Sequence, residues 1–357
     1  MRARDVIYEL EPYEVENKEG LIYLASNESP FDLPSDVRDS ILREVHSTAF
    51  NRYPDIMADE IRIQLASFLG VGEDEIVVGN GSDELLLYLT VAFAGCGRRV
   101  LYPSPSFSMY RYYTAVAGAE YIEVELNEDF SLPIERILNL LSREKVSMVF
   151  VAYPNNPTAN LWNRDDLLRI ISSTDAIVVV DEAYFDFSSS TLLPYLHDFP
   201  NLVISRTFSK AWGLAGLRCG YLVANRDIID VMKRVKQPFN VNVLTQLAVK
   251  VCLQNRWYVE DAVKDILKER DRLMDMLSSI GGIAVYPSYT NFLVVKGEGV
   301  TAGDLYRMGI VVKEFFFRGE RFLRVTVGKP EENDRFVLAI KELMSSESGT
   351  AEKDKRD

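Results

Sequence analysis

Six short runs rich in β-branched residues punctuate the middle of this chain: Ile76–Val78, Val100–Tyr102, Val146–Tyr153, Ile177–Val180, Leu202–Ser205 and Tyr221–Val223. Most are apolar at consecutive rather than alternate positions, and most are separated by segments of helix length. A strand that is apolar on both faces has to be covered on both faces, and strands joined through helices run parallel. The pattern predicts an α/β chain whose mainly parallel sheet is sandwiched between helices. Ile56–Leu69 begins one repeat of it: its apolar residues recur at helical spacing and stop at Gly70, and Ile76–Val78 then runs into the turn Gly79-Asn80-Gly81 and a helix opened by Ser82. From Arg226 to about Ser279 the chain reads as helical. After Gly281, shorter strands (Ile283–Tyr286, Phe292–Val295, Phe322–Val327) mix with helices, which predicts a second, smaller α+β domain. We expect residues 30–249 to form the large α/β domain, and 1–29 with 250–344 to form the small domain and an N-terminal arm. Residues 345–357, almost without apolar side chains, are expected to be a disordered tail.

With 47% apolar and 26% charged residues over 357 positions, the chain can bury one large core and a smaller one, and is too apolar to be disordered. A net charge of −13 argues against a nucleic-acid surface, yet leaves room for a local basic pocket that holds a small anion. Three cysteines (Cys96, Cys219, Cys252) and two distant histidines (His46, His197) suggest neither a disulfide framework nor a metal site. The longest apolar runs are strand-sized and Met1–Leu10 alternates charged with apolar residues, so neither a signal peptide nor a membrane span is expected, and a cytoplasmic location is.

In open parallel sheets, ligands bind outside the carboxyl ends of the strands. After Val78 come Gly79-Asn80-Gly81 and then Ser82, Asp83 and Glu84, which open a helix whose free backbone N–H groups suit a phosphate; an ordinary capped helix needs the same residues. After Val146–Tyr153 comes the stiff polar turn Pro154-Asn155-Asn156-Pro157-Thr158, which also reads as a loop breaker. After Ile177–Val180 come Asp181, Glu182, Ala183 and Tyr184. Asp181 there either caps a helix or pairs with the protonated pyridine nitrogen of a cofactor that acts as an electron sink. After Leu202–Ser205 come Arg206, Thr207, Phe208, Ser209 and Lys210, then Arg218. Most lysines are solvated surface charges. One that follows a strand, lies between hydroxyls and an arginine, and has small neighbours (Ala211, Gly213, Ala215, Gly216) points to a Schiff-base lysine beside a phosphate clamp.

The ordered set Asn155-Asn156-Pro157-Thr158, Asp181 to Tyr184, Ser209-Lys210 and Arg218 resembles the fold-type I pyridoxal-phosphate aminotransferases, from about Asp5 to Met344. Further segments are similar to histidinol-phosphate aminotransferases in particular: Pro12-Tyr13, Asn27-Glu28 with Pro30, Arg52-Tyr53-Pro54-Asp55, Pro238-Phe239-Asn240-Val241-Asn242 and Leu323-Arg324-Val325-Thr326-Val327-Gly328. The resemblance implies pyridoxal 5′-phosphate carried on Lys210, with Asp181 as the pyridinium partner, Asn156 and Tyr184 as donors to the ring's phenolic oxygen, and Phe107 stacked on the ring. It implies Ser82, Asp83, Thr207, Ser209 and Arg218 around the cofactor phosphate, with Tyr53 reaching in from the neighbouring subunit of a homodimer. Arg324 is implied to grip the substrate carboxylate, and Tyr13 and Asn27 to line the substrate pocket.

Three positions depart from the family pattern: Ala159 where a glycine usually closes the turn, Ser29 in place of a common asparagine, and Lys313 where histidinol-phosphate enzymes carry an arginine. Lysine lacks the planar fork of arginine but still offers charge to a phosphate, which makes Lys313 a candidate helper there. The implied activity is ping-pong transfer from an amino donor, histidinol phosphate by preference, to 2-oxoglutarate, with Lys210 as anchor and base. Aromatic amino-acid transamination and pyridoxal-phosphate-dependent decarboxylation remain alternatives on the same fold. An effector module fused to a DNA-binding domain finds no room, because the pattern starts within the first few dozen residues. A nicotinamide enzyme would want a Gly-x-Gly-x-x-Gly turn that the chain lacks.

Overall fold

The computed structural model describes residues 4–8, 10–12 and 20–351. A two-residue strand, β1 (Ile22–Tyr23), precedes the main sheet, which is built from β2 (Ile76–Gly79), β3 (Arg99–Ser104), β4 (Glu120–Glu125), β5 (Val146–Ala152), β6 (Ile177–Asp181), β7 (Leu202–Thr207) and β8 (Gly220–Ala224). The strand order is β2-β8-β7-β6-β5-β3-β4. Neighbours from β7 through β4 pair in parallel. β8 alone runs against the rest, pairing antiparallel with both β7 and β2.

The consecutive apolar residues divide between two cores, as the strand period of two requires. Val149, Val151, Val178, Val180 and Ile204 enter one core, while Met148, Phe150, Val179 and Val203 enter the other, on the opposite face of the sheet. Fully burying each such side chain is worth about 1.5–3 kcal/mol, so covering both faces stabilises the sheet and fixes its register. The edge strand β4 escaped the sequence reading because its residues EYIEVE expose Glu120, Glu123 and Glu125 and bury only Val124. Charge on an edge strand also blunts pairing with other chains.

A second sheet comprises β9 (Ile283–Tyr286), β10 (Phe292–Gly297), β12 (Lys313–Phe317) and β13 (Glu320–Thr326), in the antiparallel order β12-β13-β10-β9, and the short β11 (Ile310–Val311) pairs with β1. Leu293, Val295, Leu323, Val325, Phe336 and Ile340 pack into a third core beneath it. The long helix Trp257–Ser278 lies between the two sheets in the chain, and the last helix runs Pro330–Ala351. The helix thus takes in 345–351, the first part of the expected tail: no proline interrupts it, and backbone bonding continues past the point where apolar side chains end. The rest of that tail, 352–357, lies outside the described residues.

After β1 the chain crosses back toward the main sheet. Leu24 N donates to Val311 O and Thr326 N to Leu24 O, so the segment Leu24–Asn27 is laced to the second sheet as it passes over the carboxyl ends of the first. Among the described residues no helix is long and apolar enough to cross a membrane, and no group of His, Cys, Asp and Glu is arranged to hold a metal ion.

Candidate active site

The carboxyl ends of the parallel strands open into one cavity, lined by Ser82 and Asp83 after β2, Phe107 after β3, Asn156 after β5, Asp181 and Tyr184 at and after β6, and Thr207, Ser209 and Lys210 at and after β7. Because β8 is antiparallel, its beginning lies at this same edge, which brings Arg218 into the group. Asn27 and Arg324 close the cavity from the N-terminal crossing and from β13. Twelve of the residues expected from the sequence therefore share one cavity.

At one end of the cavity the helix Ser82–Phe93 begins, and its free N–H groups face an arginine. Arg218 donates through Nη1 to Ser209 Oγ at 3.2 Å and through Nη2 to Asp83 Oδ2 at 2.9 Å. Two glycines permit this closeness. A Cβ on Gly220 would lie 2.3 Å from Ser82 N, and one on Gly81, whose φ is +86°, would lie 2.8 Å from Arg218 Nη2. Helix N–H groups, hydroxyls and a guanidinium around one space make an anion cradle.

The centre of the cavity holds a buried acid and a desolvated lysine. Asp181 accepts from Ala183 N at 3.2 Å through Oδ1 and from Tyr110 through Oδ2, and burial pushes its carboxyl up to about 6. It is still mostly ionised at neutral pH, as a partner for a protonated ring nitrogen must be. Lys210 Nζ donates to Ser26 O at 2.8 Å, and burial, then the positive charge of Arg324, bring its pKa down to about 8. About a tenth of such an amine is neutral at pH 7, against about three in ten thousand for an ordinary lysine, so it is ready to act as a nucleophile.

The other end is organised by amides. Arg324 Nη1 donates to Asn156 Oδ1 at 2.6 Å, while Nη2 donates to Ala25 O. Arginine only donates, so Asn156 must turn its carbonyl oxygen to Arg324, which leaves its NH₂ for the cavity. Asn27 has a role the sequence did not reveal. It lines the cavity, yet its Nδ2 donates to Tyr184 Oη at 2.8 Å and its Oδ1 accepts from Thr326 Oγ1 at 3.1 Å. With its oxygen occupied as an acceptor, and its pKa raised to about 12 chiefly by burial, Tyr184 keeps its proton and can donate it into the cavity. Asn27 and Arg218 both adopt left-handed backbone, at φ 54° and 51°. Each costs on the order of 1 kcal/mol, and such strain gathers where function demands it.

Three expected residues stand apart. Tyr53 is 82% exposed and stacks on Phe239 with ring centroids 4.5 Å apart, away from the cavity of its own chain. Lys313 is exposed, but sits directly opposite Arg324 in the β12–β13 register, which puts both side chains on one face of the sheet. Tyr13 lies outside the described residues. Sequence reasoning also passed over Ser26, whose contribution is a backbone oxygen, and Tyr110 and Tyr113, whose hydroxyls reach Asp181 and Asp83 from the helix Met109–Ala117. Their only sequence signal is a position just beyond a strand end, three residues apart on one helical face.

Fold and site together make this a transferase of the fold-type I class. The chain belongs, more narrowly, to the class I and II aminotransferases, whose family model matches residues 19–340. It is 41% identical over 348 residues to the histidinol-phosphate aminotransferase of Caldanaerobacter subterraneus subsp. tengcongensis, covering 96% of this chain and 98% of that one. Identity to the histidinol-phosphate aminotransferase of Thermococcus gammatolerans is 40% over 344 residues, covering 96% and 98%. In fold it matches the crystal structure of histidinol-phosphate aminotransferase from Sinorhizobium meliloti in complex with pyridoxal-5′-phosphate, with a TM-score of 0.86 at 24% identity over 97% of this chain and 98% of that one. The residues present fit that group: the cradle at Ser82 and Arg218 suits its phosphate, Asp181 its ring nitrogen, and Lys210 its aldehyde.

Proposed function

We propose that this aminotransferase uses pyridoxal 5′-phosphate to move the amino group of histidinol phosphate to 2-oxoglutarate, in the cytoplasm and as a homodimer. Residues 30–249 form the cofactor-binding unit, and 1–29 with 250–344 the smaller one. The observation that carries the reading is that a largely desolvated lysine, Lys210, and an arginine, Arg324, share one cavity, close enough for Arg324 to depress the pKa of Lys210. Near 40% identity over almost the whole length of histidinol-phosphate aminotransferases supports the choice of donor.

Bound pyridoxal phosphate supplies an aldehyde that takes up amines and a protonated ring that withdraws electrons from them. The chain's own residues do the rest. Lys210 would anchor that group covalently, and its Nζ, when not so engaged, would be placed to carry the proton of the substrate Cα. Asp181 would hold the ring nitrogen's proton, Tyr184 and Asn156 would donate to the phenolic oxygen, and Phe107 would cover the ring. Thr207 and Ser209 complete the phosphate cradle. Arg324 binds the carboxylate of glutamate in one half-reaction and faces histidinol phosphate in the other, with Lys313 and Tyr13 helping to hold the donor.

The surface around Tyr53 supports the dimer. Lys236 Nζ donates to Ile56 O and Gln246 Nε2 to Asp55 O, so the segments that carry Tyr53 and Phe239 lie together, and Phe50, Ile56 and Leu244 add exposed apolar area to the patch. Such a patch suits burial against a second copy. Asn240 in the same segment donates to Glu84 beside the phosphate cradle, which puts the patch next to a site that a partner's Tyr53 would complete. A fully active monomer in sedimentation would contradict this.

The substrate is tested by comparing kcat/KM for histidinol phosphate, phenylalanine, tyrosine and aspartate with 2-oxoglutarate as acceptor. Histidinol phosphate is expected to lead, and Lys313→Ala to raise its KM much more than that for glutamate. An aromatic donor in front, together with a silent Lys313→Ala, would make the enzyme an aromatic aminotransferase.

A further inference from the structure

Tyr110 lies wholly buried behind the cavity, with its ring parallel to Phe150 at 4.6 Å and edge-on to Phe107 at 5.6 Å. Its backbone N–H also donates to Phe107 O at 3.1 Å, tying the two residues into one turn. Packing of this kind needs only a phenyl ring. A buried phenol oxygen is costly unless it is bonded, so the hydroxyl has to be explained by its partner. That partner is Asp181: Tyr110 Oη donates to Oδ2 at 2.9 Å. The direction of the bond is fixed, because burial holds the Tyr110 phenol protonated far above the ordinary tyrosine range. With Ala183 N on Oδ1, each carboxylate oxygen has one donor from the protein, which sets the rotation of the carboxylate about its own axis.

We infer that Tyr110 is a positioning residue for the ring nitrogen: it keeps Asp181 ionised and turned toward the cavity, and through Phe107 it couples that carboxylate to the face that covers the ring. The inference rests on the pyridoxal-phosphate reading of the site. A hydrogen bond to a buried charged group is worth about ten- to a hundredfold in an equilibrium constant, and this one acts on the cofactor only through its ring nitrogen. Tyr113, three residues on, is the natural control, since it donates to Asp83 Oδ1 at the phosphate end instead.

The test is the equilibrium binding of pyridoxal phosphate and of its 1-deaza analogue, in which carbon replaces the ring nitrogen, to cofactor-stripped wild-type, Tyr110→Phe and Tyr113→Phe proteins. Binding is followed through the protein's tryptophan fluorescence, one of its three tryptophans, Trp212, lying two residues from Lys210. Tyr110→Phe keeps the ring stack and is expected to weaken pyridoxal phosphate at least about tenfold, but the deaza analogue by no more than about twofold; Tyr113→Phe should weaken both alike. Equal losses for the two ligands in Tyr110→Phe, or no loss at all, would overturn the inference. Failure of the wild type to bind pyridoxal phosphate would instead overturn the cofactor assignment on which it rests.

Discussion

The cavity has an arginine at each end, and the two are mounted differently. Arg218 sits near the surface, shares its guanidinium between the Asp83 carboxylate and the Ser209 hydroxyl, and stands over a helix N-terminus that already attracts anions. Arg324 sits deeper, on a strand, with its guanidinium on an amide oxygen and a backbone carbonyl and 5.5 Å from the ring centre of Phe292. Both lower the pKa of Lys210, and Arg324 does so more strongly. A charge at the exposed end of the cavity is weakened by solvent screening and by the Asp83 carboxylate paired with it, whereas one deeper in the protein is screened less. The difference suits two tasks. On the proposed function, the Arg218 end would retain a resident phosphate through many modest contacts, and the Arg324 end would bind and release transient anions.

The largest effect is expected from Arg324→Ala. It removes the contact to the anion from the transition state as well as from binding, and should lower kcat/KM for glutamate by about a thousandfold while leaving the cofactor dissociation constant within about threefold. Arg218→Ala should do the opposite on a smaller scale, weakening cofactor binding by about tenfold because exposure and the remaining cradle soften the loss. Comparable effects of the two changes on both constants would erase the distinction.

The pH dependence of cofactor capture separates the two arginines more finely. Lys210 reacts as the neutral amine and its folded pKa is depressed, so the rate at which stripped protein takes up pyridoxal phosphate should rise with pH to a midpoint near 8, well below that of an ordinary lysine. Arg324→Ala removes the larger of the two repulsions and should move that midpoint up further than Arg218→Ala does. The reverse order would mean that Arg218 projects the stronger field. The smallest expected effect concerns the mounting of Asn156. Ala159 closes its turn at φ 63° while fully buried, so Ala159→Gly should relieve strain and change the melting free energy by no more than about 1 kcal/mol, leaving kcat/KM for glutamate within about twofold.

The parts of the molecule that could be read in advance were those with a pattern of their own. β5, β6 and β7 are apolar on both faces, and the residues at or just beyond their ends, Asn156, Asp181 and Lys210, fall at the cavity because strand ends put them there. β4 was missed because exposed glutamates interrupt its apolar periodicity, and β12 because it opens on the charged pair Lys313-Glu314 and leaves a short apolar run. The position of Lys313 opposite Arg324 depends on strand register, which only the folded hairpin sets. Ser26 acts through a backbone carbonyl that every residue possesses, and the bond from Asn27 to Tyr184 joins residues 157 positions apart that no local motif links. Tyr53 was legible as a motif, but within its own chain it lies exposed on Phe239, and the role proposed for it needs a second copy of the chain. The 345–351 segment was read from side-chain composition, whereas backbone continuity decides where a helix ends.

The most direct test of the account is chemical. The holoenzyme is treated with borohydride, digested, and searched by mass spectrometry for the pyridoxyl group. The account predicts loss of the yellow absorbance and a single modified peptide carrying the group on Lys210. A pyridoxyl group on any other lysine, or an unmodified protein that nonetheless transfers amino groups, would contradict it.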